Sequence, residues 1–171
     1  MRILVTAASR HSSTREIAQA IADALSARGA DVLVRPPEDC EDLTGLDAVV
    51  LGSAVYMGAW LAPAIDFADR HGTALRALPV WLFSSGPVGS PPRPAADDAV
   101  KLHEHLVALG ARDHQVFAGR LDRHALGFGE RAVMFAFGAE AGDVRDWEAI
   151  VSWADGIFGA LGVPRSTETA A

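Results

Sequence analysis

Two apolar rhythms alternate along the chain. Short runs rich in Val, Ile, Leu and Phe recur at 2–7, 31–35, 48–51, 80–83 and 115–118, each closed by turn-forming residues. Arg2 to Ala7 and Ala48 to Leu51 show almost no polar alternation, the pattern of strands buried on both faces. Between the runs, apolar positions are spaced as on one face of a helix. Ile17, Ile21 and Leu25 recur every four residues in a helix reaching Arg28. Ala99, Leu102, Leu106 and Leu109 line one side of 95–109. Trp147, Ile150, Ala154, Ile157 and Leu161 line one side of 146–161. A fourth helix spans 61–71, with Pro63 in its first turn, where the missing amide is harmless. Ser13 and Glu16 have the spacing of a capping box, and Gly29 supplies the stop. Residues 120–145 read as irregular, with a short helix at 130–137.

Strand and helix alternate five times. That order predicts an α/β fold: a three-layer, doubly wound sandwich around a five-stranded parallel sheet of order 2-1-3-4-5. Ligands of such sheets bind beyond the carboxyl ends of the strands, where the chain order reverses. Three loops meet there in this reading: Ser9–Thr14, Ser53–Ala59 and Ser84–Gly89.

Composition narrows the function. The chain has 171 residues, half of them hydrophobic, which suits one domain over 1–164 with a frayed tail at 165–171. Acidic residues number 22 against 15 basic, a net charge of −7, which argues against a nucleic-acid partner. One cysteine allows no intrachain disulfide and no multi-cysteine metal site, and fits a cytoplasmic protein. No run approaches the roughly 18–20 apolar residues of a membrane span, and the chain opens directly into a strand, so neither a span nor a signal peptide is expected.

The first loop carries the chemistry most clearly. Ser9, Ser12, Ser13 and Thr14 place four hydroxyls in six residues at a helix start, where free amides and the positive dipole end favour a phosphate. Capping alone needs only one or two. Arg10 and His11 either add charge or stay solvated. Rival sites fail by position. Thr6-Ala7-Ala8 and Gly52-Ser53 stand where a receiver domain needs acids. Gly-x-x-x-x-Gly-Lys and Gly-x-Ser-x-Gly are absent. Gly127-Phe128-Gly129-Glu130-Arg131-Ala132 matches a dinucleotide fingerprint only by letters, since it does not open the first helix. In the second loop, Tyr56 and Trp60 either stack on a planar ligand or cover the sheet end. Gly86 and Gly89 either admit a ring edge or make a tight turn.

Three segments resemble the flavodoxin-like family. Ala8-Ser9-Arg10-His11-Ser12-Ser13-Thr14-Arg15-Glu16-Ile17-Ala18 is similar to its phosphate loop and first helix. Gly52-Ser53-Ala54-Val55-Tyr56-Met57-Gly58 and Phe83-Ser84-Ser85-Gly86-Pro87-Val88-Gly89 resemble its second and third flavin loops. Gly142-Asp143-Val144-Arg145-Asp146-Trp147-Glu148-Ala149-Ile150 resembles a subfamily that includes the flavodoxin-type, quinone-dependent protoporphyrinogen oxidase. The resemblance implies noncovalent FMN. Its phosphate would lie on Ser9, Arg10, His11, Ser12, Ser13 and Thr14. Its ring would lie between Ser53, Ala54, Val55, Tyr56, Met57 and Gly58 on one side and Ser84, Ser85, Gly86, Pro87, Val88 and Gly89 on the other. Two positions depart from the family's usual pattern: Ser12 stands where Gly is common, and the third loop has no aromatic.

Three functions follow. The first is an FMN redox protein carrying electrons between partners. The second is an oxidase passing electrons from protoporphyrinogen through FMN to a quinone (implied by the resemblance alone). The third is a flavin-free interaction module, which Ser12 and the missing aromatic favour. No side chain is nominated as catalytic, and no metal site is expected: His103 and His105 face different ways, and His71, His114 and His124 have no partner pattern. Cys40 is expected to be inert because its flanking carboxylates raise the thiol. Trp81 and Trp147 are expected in the core. Phe128, Val133, Met134, Phe135 and Phe137 form an apolar cluster that either packs on the sheet edge or, by resemblance, docks substrate or touches a membrane peripherally.

Overall fold

The computed structural model describes residues 1–56, 59–86, 109–121, 142–143 and 145–162. In chain order the elements are β1 (Arg2–Ala8), α1 (Ser13–Ala27), β2 (Asp31–Arg35), a 3-10 turn (Pro37–Asp39), β3 (Ala48–Tyr56), β4 (Ala59–Trp60), α2 (Ala62–Ala77), β5 (Val80–Ser85), β6 (Asp113–Phe117), β7 (Arg120–Leu121), β8 (Gly142–Asp143) and α3 (Trp147–Gly162). The central sheet runs β2-β1-β3-β5-β6, parallel throughout. This is the predicted order 2-1-3-4-5, because the intervening β4 is only a two-residue hairpin arm on β3. β7 and β8 pair as a separate antiparallel ribbon.

The pleat explains the unbroken apolar runs. Successive residues of β1 point to opposite faces, and each face meets helices. Ile3 and Val5, with Val50, Trp81 and Phe83, pack against Ile17, Ile21 and Leu25 of α1 and Ile150, Ala154 and Ile157 of α3. Leu4, Val49, Leu51 and Leu82 pack on Phe67 and Leu75 of α2 on the other face. Each such fully buried side chain contributes about 1.5–3 kcal/mol. Gly52 is a steric requirement of this core. It sits opposite Phe83 in the ladder, and a Cβ there would overlap the Phe83 ring.

Several boundaries and two side chains differ from expectation. β3 does not stop at Leu51 but runs to Tyr56, because Ser53 and Ala54 find ladder partners in Ser84 and Ser85. Residues 53–56 are therefore strand rather than loop. α2 passes Gly72 and reaches Ala77, since the buried Leu75 anchors its last turn and Pro79 disfavours helix at Leu78. At the start of α1, Ser12 is the cap residue and Ser13 the first helical one, so the capping box does not form. The end is as expected. Gly29 takes φ 95°, while the amides of Gly29 and Ala30 bond Ser26 O and Leu25 O, a Schellman arrangement. Trp147 is 41% exposed, not core. Trp153 instead packs edge-on to Phe83 and Phe117, while Trp81 is buried as expected. Of the predicted helix at 95–109 only Leu109 is among the described residues. The 130–137 helix, the Phe128–Phe137 cluster and the 165–171 tail lie outside them. Among the described residues no helix is long and apolar enough to cross a membrane.

Candidate functional site

α1 and α2 pack on opposite faces of the sheet, the arrangement that parts the loops after β1 and β3 at the carboxyl rim, where sheets of this order take ligands. The turn after β1 lies at this rim. Ser12 adopts φ 66° and ψ −18°, a left-handed conformation that costs a non-glycine residue about 1–2 kcal/mol. The Ser12 side chain does not cap the helix that follows. The first turn of this 15-residue helix thus carries the positive dipole end to the rim with no hydrogen bond from the Ser12 side chain. Ser9 Oγ is buried and has no hydrogen-bond partner among the described residues. An orphaned hydroxyl beside this helix start fits a phosphate, whose oxygens accept from both. Thr14, only 1% exposed, and Ser13 line the same turn.

A buried arginine holds this turn from behind. The Arg145 side chain is 2% exposed. Its Nε and Nη2 donate to the two Asp143 oxygens, and its Nη1 donates to Glu16 Oε2 at 2.7 Å. The face of Trp147 lies 4.3 Å from the guanidinium carbon. The bonds to Asp143 and Glu16 raise the Arg145 pKa further above an already high value, against the opposing pull of burial. Local sequence reading missed this residue as a functional one. The only signal was its place inside the 142–150 segment quoted for the subfamily resemblance.

The second and third loops converge beside the turn. Tyr56 is 37% exposed, and the Arg10 guanidinium lies over its ring at 4.7 Å, so a cation–π contact joins the first loop to the second. Gly86 takes φ 98°, donates its amide to Phe117 O at 3.1 Å, and would bring a Cβ within 3.6 Å of Val55 O. It is therefore a forced turn packed against the end of β3. Ala54 and Ser85 are opposite one another in the ladder. Ser53 and Ser84 face inward instead. Ser53 Oγ donates to Ala54 O at 2.8 Å and accepts from the Leu61 amide at 2.9 Å, fixing the entry to α2. Ser84 Oγ accepts from Trp60 Nε1 at 2.9 Å and shares a 2.9 Å hydrogen bond with His114 Nε2. Burial lowers the His114 pKa, and the neighbouring Asp113 only partly opposes it. The lowered pKa favours the neutral imidazole, whose Nε2 accepts from the Ser84 hydroxyl in the tautomer that carries its proton on Nδ1. Trp60 thus covers the sheet end with its N–H committed inward. Met57, Gly58, Pro87, Val88 and Gly89 lie outside the described residues.

Cys40 is buried, with Sγ donating to Pro36 O at 3.3 Å. Its thiol pKa is raised mainly by burial, with Asp39 a lesser cause, while the neighbouring Thr6, Arg35 and Arg70 pull the other way. The raised pKa therefore has burial, not the flanking carboxylates, as its main cause.

A family profile described as "Flavodoxin domain" matches residues 4–146. No curated protein matches the chain by sequence. Among solved structures, a flavodoxin from the domain Archaea superposes with a TM-score of 0.62 at 16% identity, over 94% of this chain and 99% of that one. A flavodoxin from Streptococcus pneumonia gives 0.61 at 17% identity, over 94% and 99%. Oxidised flavodoxin 1 from Bacillus cereus gives 0.60 at 16% identity, over 94% and 98%. At such identities the likeness is one of fold.

Proposed function

We propose that this chain, which belongs to the flavodoxin-domain family, binds FMN noncovalently at the carboxyl rim of its sheet and carries electrons between redox partners. One observation carries the reading: the buried, orphaned Ser9 Oγ beside the start of α1, which the Ser12 side chain leaves uncapped. On this reading, Ser9, Ser13, Thr14 and the first-turn amides hold the phosphate, with Arg10, His11 and Ser12 completing the turn. Residues 53–58 and 84–89 flank the ring, with Tyr56 and the Gly86 turn at its borders. FMN, when bound, supplies one- and two-electron redox chemistry. The protein's part is to orient the ring, exclude water from one side and set the local potential. A net charge of −7 disfavours added negative charge at the site and so lowers the potential. The partner is a redox protein or a quinone, the compartment the cytoplasm, and the domain 1–164.

The test is the cofactor content of protein purified without added flavin. Yellow protein that releases FMN on heating supports the reading. A colourless protein that takes up no added FMN overturns it and leaves the flavin-free interaction module.

A second reading, oxidation of protoporphyrinogen with a quinone as acceptor, is favoured by one feature. The 142–150 segment that resembles that subfamily reaches the phosphate turn through Arg145 and Glu16. Anaerobic protoporphyrinogen should then bleach the bound flavin and a quinone restore it. Absence of bleaching removes the oxidase reading and leaves electron carriage intact.

A further inference from the structure

We propose that a cleft on the β2 side of β1, bordering the phosphate turn at Ser9, binds a compact organic anion: a carboxylate or phosphate monoester on a single-ring apolar body. The cleft opens over the carboxyl ends of β1 and β2, between α1 and the start of α2, and encloses about 460 Å³. That volume suits a small ligand. Arg15 on α1 and Arg35 at the end of β2 both line it.

The charge pattern there is unusual for this chain. Neither Arg15 nor Arg35 makes a hydrogen bond, ion pair or ring contact among the described residues. Every other arginine whose side chain is described has such a partner, as with Arg2 on Asp31, Arg28 on Asp155, Arg70 on Pro37 O and Arg112 on Trp81. Among the described residues Glu38 is the one carboxylate on the wall, so these side chains sum to a formal +1 in a protein of net −7. Guanidinium forks from two elements can grip one carboxylate or phosphate from two sides. Ser9 and Gln19 add two neutral polar groups, and the rest of the wall is apolar. Val34, exposed at 39%, lies with Pro36, Leu61 and Pro63, a surface that water covers poorly and a ring covers well. A charge at one end and a dry wall at the other define the ligand class. The cleft shares Ser9 with the phosphate turn, but neither Arg15 nor Arg35 is among the residues placed on FMN, so changing the two arginines tests this cleft apart from the function proposed above.

The experiment is a backbone-amide NMR titration of the full chain with benzoate, phenyl phosphate and benzyl alcohol. Saturable shifts at Gln19, Val34 and Arg35 with both anions are expected, with benzyl alcohol at least tenfold weaker. Arg15→Gln with Arg35→Gln should weaken the anions about tenfold or more. Both residues are exposed, so the fold is not at risk. The tighter of the two anions identifies the group the site prefers. Equal binding of benzyl alcohol, unchanged affinity in the double variant, or no saturable shift at those amides overturns the proposal. Shifts confined to Arg10–Thr14 overturn it too, because they place the anion on the phosphate turn.

Discussion

Arg145 reaches Glu16 across 129 positions of sequence and, with Asp143, pins the first turn of α1 to the approach of α3. The helix start that faces the candidate phosphate site is thus held by a charge pair rather than by a Ser12 side-chain cap. Arg145→Met keeps the stem volume but removes the fork. It should lower stability by about 2 kcal/mol, less than a fully buried pair would lose, because Asp143 and Glu16 are about 40% exposed and can rehydrate. Urea denaturation checks this. A loss under about 0.5 kcal/mol would mean the pair is idle.

Ser9→Ala combined with Thr14→Ala should weaken FMN by about 1–3 kcal/mol, the range of hydrogen bonds to charged groups. Ser9→Ala alone should leave the unliganded protein as stable as before or slightly more so, since it deletes a buried oxygen that has no partner among the described residues. An unchanged dissociation constant in the double variant would reduce the turn to a helix start and nothing more.

Ser12→Gly removes the left-handed strain and adds unfolded-state entropy. The strain is the larger, so a net gain of about 0.5–1 kcal/mol is expected, seen as a rise in Tm of about 1–4 °C. A fall in Tm would show that the Ser12 side chain contributes more than its backbone costs.

Gly52→Ala should cost about 1–3 kcal/mol, because its Cβ would overlap the fully buried Phe83 ring. Combining it with Phe83→Leu should cost less than the two single changes added together. Strict additivity in that double-mutant cycle would disprove the direct clash.

His114 sets a pH dependence. Its folded pKa lies below the ordinary value of 6.5, so the unfolded chain binds the proton more readily. Stability from this group is complete above that value and falls as pH drops below it. His114→Gln removes the term. The gap between the two proteins, read from urea midpoints, should shrink or reverse in the variant's favour as pH falls from about 7.5 to 5.5. A gap that stays constant over that range would mean that the imidazole does not resist protonation.

The sequence by itself determined the alternation of elements, the sheet order and the position of the first turn. These follow from local periodicity: an unbroken Ile3-Leu4-Val5 admits only a strand covered on both faces, and Ile17, Ile21 and Leu25 only a helix with one buried stripe. Tertiary structure alone decided the rest, because those contacts join residues that no local pattern relates. The length of β3 depends on Ser84 and Ser85 being there to pair with it, not on its own apolarity. Trp147 and Trp153 sit on one helix, but their burial depends on where Phe83 and Phe117 arrive. The pairings of Arg10 with Tyr56, His114 with Ser84 and Arg145 with Glu16 have the same origin. Periodicity settles which face of an element turns inward, whereas charge pairs and strand ends depend on partners that only the folded chain brings within reach.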